Sequence, residues 1–337
     1  MRQFGVVGLW MISMVAFGQE LPVQFRQQGK HVEVTIGKQM VTRFFDPGPE
    51  VLKKPVLFPV LTPGGTVVTR GWPVDPRPGD AQDHPHHVGI WFNYESVNDH
   101  DYWNNSIEVE KAGDKRAFGT IRTTQVGPWK NGPKGTLPWK AEWVDSQGQR
   151  VLEEETVLTF QGTSTYTLID RTTTLTASSN TVLFRDIKDG LYAIRVRREL
   201  EHPARGAASY SDASGKVTEV AAAQGEPTGR YRNQAGILGE DTWGKRSPWV
   251  TLEGRVDGKP VSITILDHPE NPGYPAYWHT RGYGLFSINP LGQSIFTQGK
   301  EQLNFTLGAG KSVTFRYRMI LADRHFSQEE LNGFFNR

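Results

Sequence analysis

The stretch Ser312-Val313-Thr314-Phe315-Arg316-Tyr317-Arg318-Met319-Ile320-Leu321 sets apolar against polar side chains with a period close to two. Successive side chains of an extended chain point to opposite faces, so Val313, Phe315, Tyr317, Met319 and Leu321 line one face of a strand. The same alternation recurs at Val32, Val34 and Ile36 and at Val261, Ile263 and Ile265. Residues 156–160, 166–175, 181–187, 191–196 and 217–223 read as further strands, separated by Gly, Pro, Asn and Asp clusters that make turns. Asp189-Gly190 reads as a hairpin turn between two of them. Helical signal is scarce and is clearest at the C-terminus, where Ser327 and Glu330 can form a capping box ahead of Leu331, Phe334 and Phe335. Many strands with few helices exclude a parallel sheet, which needs crossover helices. The expected fold is all-β: a large antiparallel β-sandwich with a short C-terminal helix.

At the other end, Arg2, the apolar run between Phe4 and Phe17 and the small residues Ala16 and Gly18 read as a signal peptide over 1–18. That run is shorter than the roughly 20 residues that span a bilayer. The mature chain, 19–337, is expected to be a single β-sandwich domain without a membrane span, in the periplasm or secreted. The full sequence has a mean hydropathy of −0.50. There is no Cys, which excludes disulfides and cysteine nucleophiles. With 38 basic and 36 acidic residues and no long run of either sign, nucleic acid is not an expected partner.

The densest polar constellation is Asp83-His84-Pro85-His86-His87, followed by the strand-like Val88-Gly89-Ile90-Trp91-Phe92-Asn93-Tyr94. Read as extended chain, His84 and His86 share one face and His87 takes the other. Such a pair suits a substrate hydroxyl or a divalent metal, with His84 and His86 as possible ligands and no cofactor otherwise predicted. The polar loop Asn98-Asp99-His100-Asp101-Tyr102-Trp103 offers an indole face and hydrogen-bonding side chains, a mixture that binds sugars. The alternative is an Asx-turn with Trp103 as a core plug. Asp186 and Asp189 are either a carboxylate pair or turn residues, and Glu153, Glu154 and Glu155 read as a solvated face. Asp267-His268-Pro269 repeats the earlier Asp-His-Pro and leads to Trp278-His279-Thr280-Arg281, where His279 and Arg281 share a strand face. A proton donor beside a fixed cation suits oxyanion stabilisation. No Gly-x-Ser-x-Gly elbow, P-loop, dinucleotide fingerprint or His-Glu-x-x-His is present.

The candidate catalytic residues are therefore His86, His87, His279, Arg281, Asp186 and Asp189. The candidate binding residues are His84, Trp91, Asn98, Asp101, Trp103, His268 and Trp278. Proton transfer on a sugar (epimerisation, elimination or hydrolysis) is the first expectation. A non-catalytic glycan-binding module and a His-ligated metal enzyme are the alternatives.

Several blocks taken together carry a family resemblance. They are Thr69-Arg70-Gly71-Trp72-Pro73, Asp83-His84-Pro85-His86-His87 with Gly89 and Trp91-Phe92, Asp186-Ile187-Lys188-Asp189-Gly190 with Ala193-Ile194-Arg195, Trp243-Gly244, Asp267-His268-Pro269, and Trp278-His279-Thr280-Arg281 with Tyr283-Gly284-Leu285-Phe286 and Asn289-Pro290. Over roughly 30–325 the chain resembles a bacterial family of unknown function labelled "methane oxygenase PmoA". A membrane mono-oxygenase subunit needs several spanning helices, which this sequence lacks after its leader. The resemblance implies a galactose-mutarotase-like supersandwich, and with it sugar chemistry drawing on His86 or His87 and His279.

Overall fold

The protein's structure, a computed structural model, describes residues 19–335 apart from 112, 114, 204–207, 212–216 and 221–226. The expected leader lies outside the described residues, as do the last three positions of the strand read at 217–223. Two eight-stranded antiparallel sheets form the body. The first runs, in spatial order, Val23–Gln28, His31–Ile36, Gln39–Phe45, Val56–Val60, Ile90–Tyr94, Gly190–Arg195, Leu285–Asn289 and Tyr277–Thr280. The second runs Arg230–Asn233, Trp249–Val256, Lys259–Asp267, Ser312–Ala322, Tyr166–Ala177, Arg150–Gly162, Gly135–Val144 and Thr120–Val126. No helix among the described residues is long and apolar enough to cross a membrane.

Alternation decides what each face does. From Ser312–Ala322, the side chains of Phe315, Tyr317, Met319 and Leu321 enter the core between the sheets, while Ile320 joins a separate cluster under the C-terminal helix. Opposite them, Phe92 lies 6.0 Å from Phe315, and Tyr192 stacks on Tyr317 at 5.3 Å. Glu153, Glu154 and Glu155 do not form one solvated face. Glu154 is buried, accepting from Trp143 Nε1 at 2.8 Å and from Arg171 at 2.8 Å, and only its neighbours are exposed.

The hairpin read at Asp189-Gly190 is not formed. Val182–Phe184 pairs with Phe305–Leu307 in a small sheet of its own, whereas Gly190 opens a central strand of the first sheet. Gly190 is required there by close approach, because a Cβ would stand 2.3 Å from the Tyr94 ring.

The capping box forms as expected, with Ser327 N donating to Glu330 Oε2 at 2.8 Å and Glu330 N donating to Ser327 Oγ at 3.2 Å. It starts the helix Gln328–Phe335, whose Leu331 and Phe334 are buried against Tyr166, Phe326 and Ile320. Ser327→Ala is expected to lower unfolding free energy by about 1 kcal/mol in urea denaturation.

Candidate functional site

The site is built on the face of the first sheet that points away from the second. Where Ile90, Phe92 and Tyr94 face the core, Trp91, Asn93 and Glu95 face the other way. Registry carries that face across four strands, because Trp91 pairs with Ala193, Ala193 with Ser287, and Ser287 with His279. At about 4.8 Å per strand this row is roughly 14 Å long. Two large polar-tipped residues, Trp91 and His279, stand at its ends with two small ones between. His84, His86, His87 and His279 thus gather on a sheet face.

The loop Asp83-His84-Pro85-His86-His87 lies over this face as a turn, not as extended chain. His84 takes φ 47°, and His87 N donates to His84 O at 2.9 Å. The turn reverses the expected pairing: His84 and His87 stack at 4.8 Å, while His86 stands edge-on to both. Tyr283 also stacks on His84 at 4.8 Å and lies parallel to His87 at 6.4 Å, and Trp91 stacks on His87 at 5.1 Å. A cluster of near-parallel rings therefore links half-buried Tyr283 to buried Trp91.

Two buried guanidiniums hold the turn. Arg70 donates to Ala81 O, Asp83 O, Asp83 Oδ1, His84 O and His87 O at 2.6–3.0 Å. Arg195 donates to the same Asp83 Oδ1 at 2.6 Å. Burial opposes ionisation of Asp83, but the His84 hydrogen bond and the charges of Arg195 and Arg70 outweigh it and hold the carboxyl well below the usual carboxylate range. His87 Nε2 accepts from Trp103 Nε1 at 3.1 Å, so His87 is fixed in place, whereas neither ring nitrogen of His86 has a partner although the residue is only 4% exposed. Burial, followed by surrounding positive charge, pushes both imidazoles well down, so both are neutral. Among the described residues no group of three or more His, Asp or Glu is placed to hold a metal ion.

At the far end, Asp189 is buried and faces three groups. His279 Nδ1 lies 3.3 Å from Asp189 Oδ1 but off the hydrogen-bond axis, Lys188 donates to Oδ2, and the Glu95 carboxyl stands close enough for the two carboxyls to act on each other's ionisation. Burial raises Glu95, and the nearby carboxylates of Asp189 and Asp101 add to the effect, carrying it to about 8. Burial acts the same way on Asp189, but the positive charge of His279 and Lys188 prevails and holds it low. Burial lowers His279 to about 4 despite the Asp189 charge. At neutral pH the group is a protonated carboxyl, a carboxylate and a neutral imidazole.

A pH test follows for Glu95. Between its ordinary value of 4.5 and about 8, the unfolded chain is ionised here while the folded chain keeps the proton. Stability contributed at this position is therefore lost as pH rises through that window. Urea denaturation is expected to show Glu95→Gln gaining on wild type between pH 5 and pH 8. A constant difference would mean that Glu95 ionises normally.

Lys54, Glu95, Arg70, Arg195 and Tyr283 escaped the sequence reading of the site. Lys54 is buried, donating to Trp103 O at 2.9 Å and Asn105 Oδ1 at 3.1 Å, and burial lowers it to about 7 against the pull of Asp101. Glu95 was signalled by its spacing, two and four residues beyond Asn93 and Trp91 on one face.

Other expected site residues stand elsewhere or are occupied. Asp101 accepts from Trp103 N, Asn104 N, Asn104 Nδ2 and Arg116, and Trp103 is buried, as the Asx-turn alternative had it. Asp186 accepts from the backbone of Ser294, Leu303 and Asn304 and ties down that loop. Asn98, at φ 50°, accepts from Leu183 N. Trp278 faces the core between the sheets and donates to Ser247 O, because it alternates with His279. Arg281 is exposed past the strand end, 6.0 Å over the Tyr283 ring. His268 follows Lys259–Asp267 of the second sheet and lines a separate cleft of about 450 Å³ with Asp170, Arg316, Arg318 and Phe335.

The chain is distantly similar to several solved structures. One is the galactosidase domain of the alpha-galactosidase-sucrose kinase AgaSK, at 10% identity and TM-score 0.38, over 89% of this chain and 42% of that one. Others are a putative aldose 1-epimerase from Escherichia coli K12 (11%, 0.32, 90% and 99%) and a galactose mutarotase-like protein from Clostridium acetobutylicum (10%, 0.32, 90% and 99%). Likeness at this level carries no argument about activity. No curated protein matches the sequence. The methane-oxygenase label is not what the family match shows. Residues 31–336 match the model described as "Family of unknown function (DUF6807)", and the chain belongs to that family.

Proposed function

We propose that this is a carbohydrate-processing protein of the cell envelope that moves a proton on a sugar bound over the outer face of the first sheet. The observation that carries the reading is the group Glu95, Asp189 and His279. It keeps a proton on one carboxyl, leaves the other ionised, and sets a neutral imidazole 3.3 Å from the second. A general acid and a general base within one site are what epimerisation, elimination and hydrolysis each require. The half-buried rings of Tyr283 and His84, stacked at 4.8 Å, supply flat faces beside polar groups, the mixture that suits a pyranose.

The test is a thermal-shift screen of the mature protein against mono- and oligosaccharides and divalent metals, repeated on His86→Ala and His279→Ala. A ligand that binds only the folded state raises the melting temperature. The expected result is a sugar-dependent rise that both variants lose. A rise untouched in both, or no rise with any sugar, overturns the proposal.

A further inference from the structure

The end of the site around His86 has more hydrogen-bond donors than acceptors. Lys54 Nζ gives two of its three N–H groups to Trp103 O and Asn105 Oδ1. Among the described residues no carboxylate lies within 4 Å of it, although it is only 1% exposed. Its ammonium sits 5.8 Å from the Trp91 ring, and Trp91 Nε1, which can only donate, is buried with no acceptor. His86 adds two unpartnered nitrogens, one of which carries a proton in the neutral ring. The charges that act most strongly on His86 are all on basic side chains: Lys54, His84, Arg70 and Arg195. Asp83 answers both guanidiniums, and Glu201 stands 3.8 Å from Arg195, but neither carboxylate is paired with Lys54.

Buried donors without acceptors are costly, and three of them are packed close together here, with His86 4.3 Å from His87, His87 5.1 Å from Trp91 and the Lys54 ammonium 5.8 Å from the Trp91 ring; an ammonium, an indole N–H and an imidazole N–H so grouped ask for an anion with several lone pairs. We propose that Lys54, His86 and Trp91 form a subsite for a carboxylate, so that the substrate is a sugar acid: a uronate or an oligosaccharide carrying one. The inference rests on the carbohydrate reading above and narrows it. A carboxylate has lone pairs enough for all three donors. It also sets a negative charge directly against Lys54, on which Asp101 acts only from beyond 4 Å. A neutral sugar hydroxyl accepts too, but brings no charge.

Isothermal titration calorimetry at pH 6, with Lys54 charged, compares D-glucuronate and D-galacturonate with D-glucose and D-galactose. Wild type is expected to bind the acids about 10- to 100-fold more tightly, the range for hydrogen bonds to charged groups. Lys54→Met and His86→Gln are each expected to bring that ratio close to one, whatever each does to sugar affinity as a whole. Circular dichroism checks that each variant folds, and His86→Gln carries the test alone if Lys54→Met does not. Neutral sugars binding as tightly as acids to wild type would overturn the carboxylate subsite and leave the carbohydrate reading standing. A preference for acids that survives in the folded variants would overturn it as well. Failure of every sugar to bind would overturn both.

Discussion

Replacing Arg70 by leucine is expected to lower unfolding free energy by about 3–5 kcal/mol, because several backbone carbonyls lose a buried charged donor at about 1–3 kcal/mol each. Arg70 is 1% exposed and makes five hydrogen bonds, four to backbone carbonyls of the 81–87 segment and one to Asp83. Its loss strips those acceptors of their donor and leaves Asp83 to Arg195 and His84. Burial lowers Arg70 to about 9, with the charge of Arg195 adding to the effect, so it is still ionised at pH 7. Urea denaturation at pH 7 measures the effect, with Arg316→Leu as comparison. Arg316 pairs with exposed Glu270 at 3.1 Å on the second sheet, and a surface pair of that kind is worth about 1 kcal/mol or less. A loss below about 1 kcal/mol for Arg70→Leu would mean that the histidine turn is held by other contacts.

The second large effect is on turnover. On any sugar that wild type converts, Glu95→Gln is expected to lower kcat about 10²- to 10⁴-fold, the usual share of general acid–base catalysis. Glutamine keeps the shape and a donor toward Asp189 but cannot release or regain a proton. Sugar affinity is expected to stay within about threefold, because the neutral carboxyl and the amide are both uncharged. Retained turnover would remove Glu95 from the proton path.

Much of the framework was legible because it depends on local alternation. Val313, Phe315, Tyr317, Met319 and Leu321 needed only a period of two, and Ser327 with Glu330 only a spacing of three. The same rule separated His279 from Trp278, although Trp278 still read as a binding residue. What escaped depends on long-range packing or on single backbone angles. Lys54 follows another lysine and precedes a proline, which reads as a solvated turn; only the fold brings Trp103 and Asn105 around it. Arg70 and Arg195 meet at Asp83 from positions 125 apart in sequence. The histidine cluster misled because His84 takes a positive φ, turning an apparent strand into a turn that stacks His84 on His87. The repeated Asp-His-Pro misled for a topological reason: its second copy follows a strand of the other sheet, so His268 faces a different cleft.

The central claim is that one ligand site joins the histidine turn to the Glu95–Asp189–His279 group. The most direct measurement is nitrogen-15 NMR of protein labelled at its histidine rings, titrated with the sugar giving the largest melting-temperature rise. The account predicts that the His86 and His279 ring nitrogens move together along one binding curve while His268 stays fixed. Movement of His268 alone would place the ligand in the cleft on the second sheet and contradict the account.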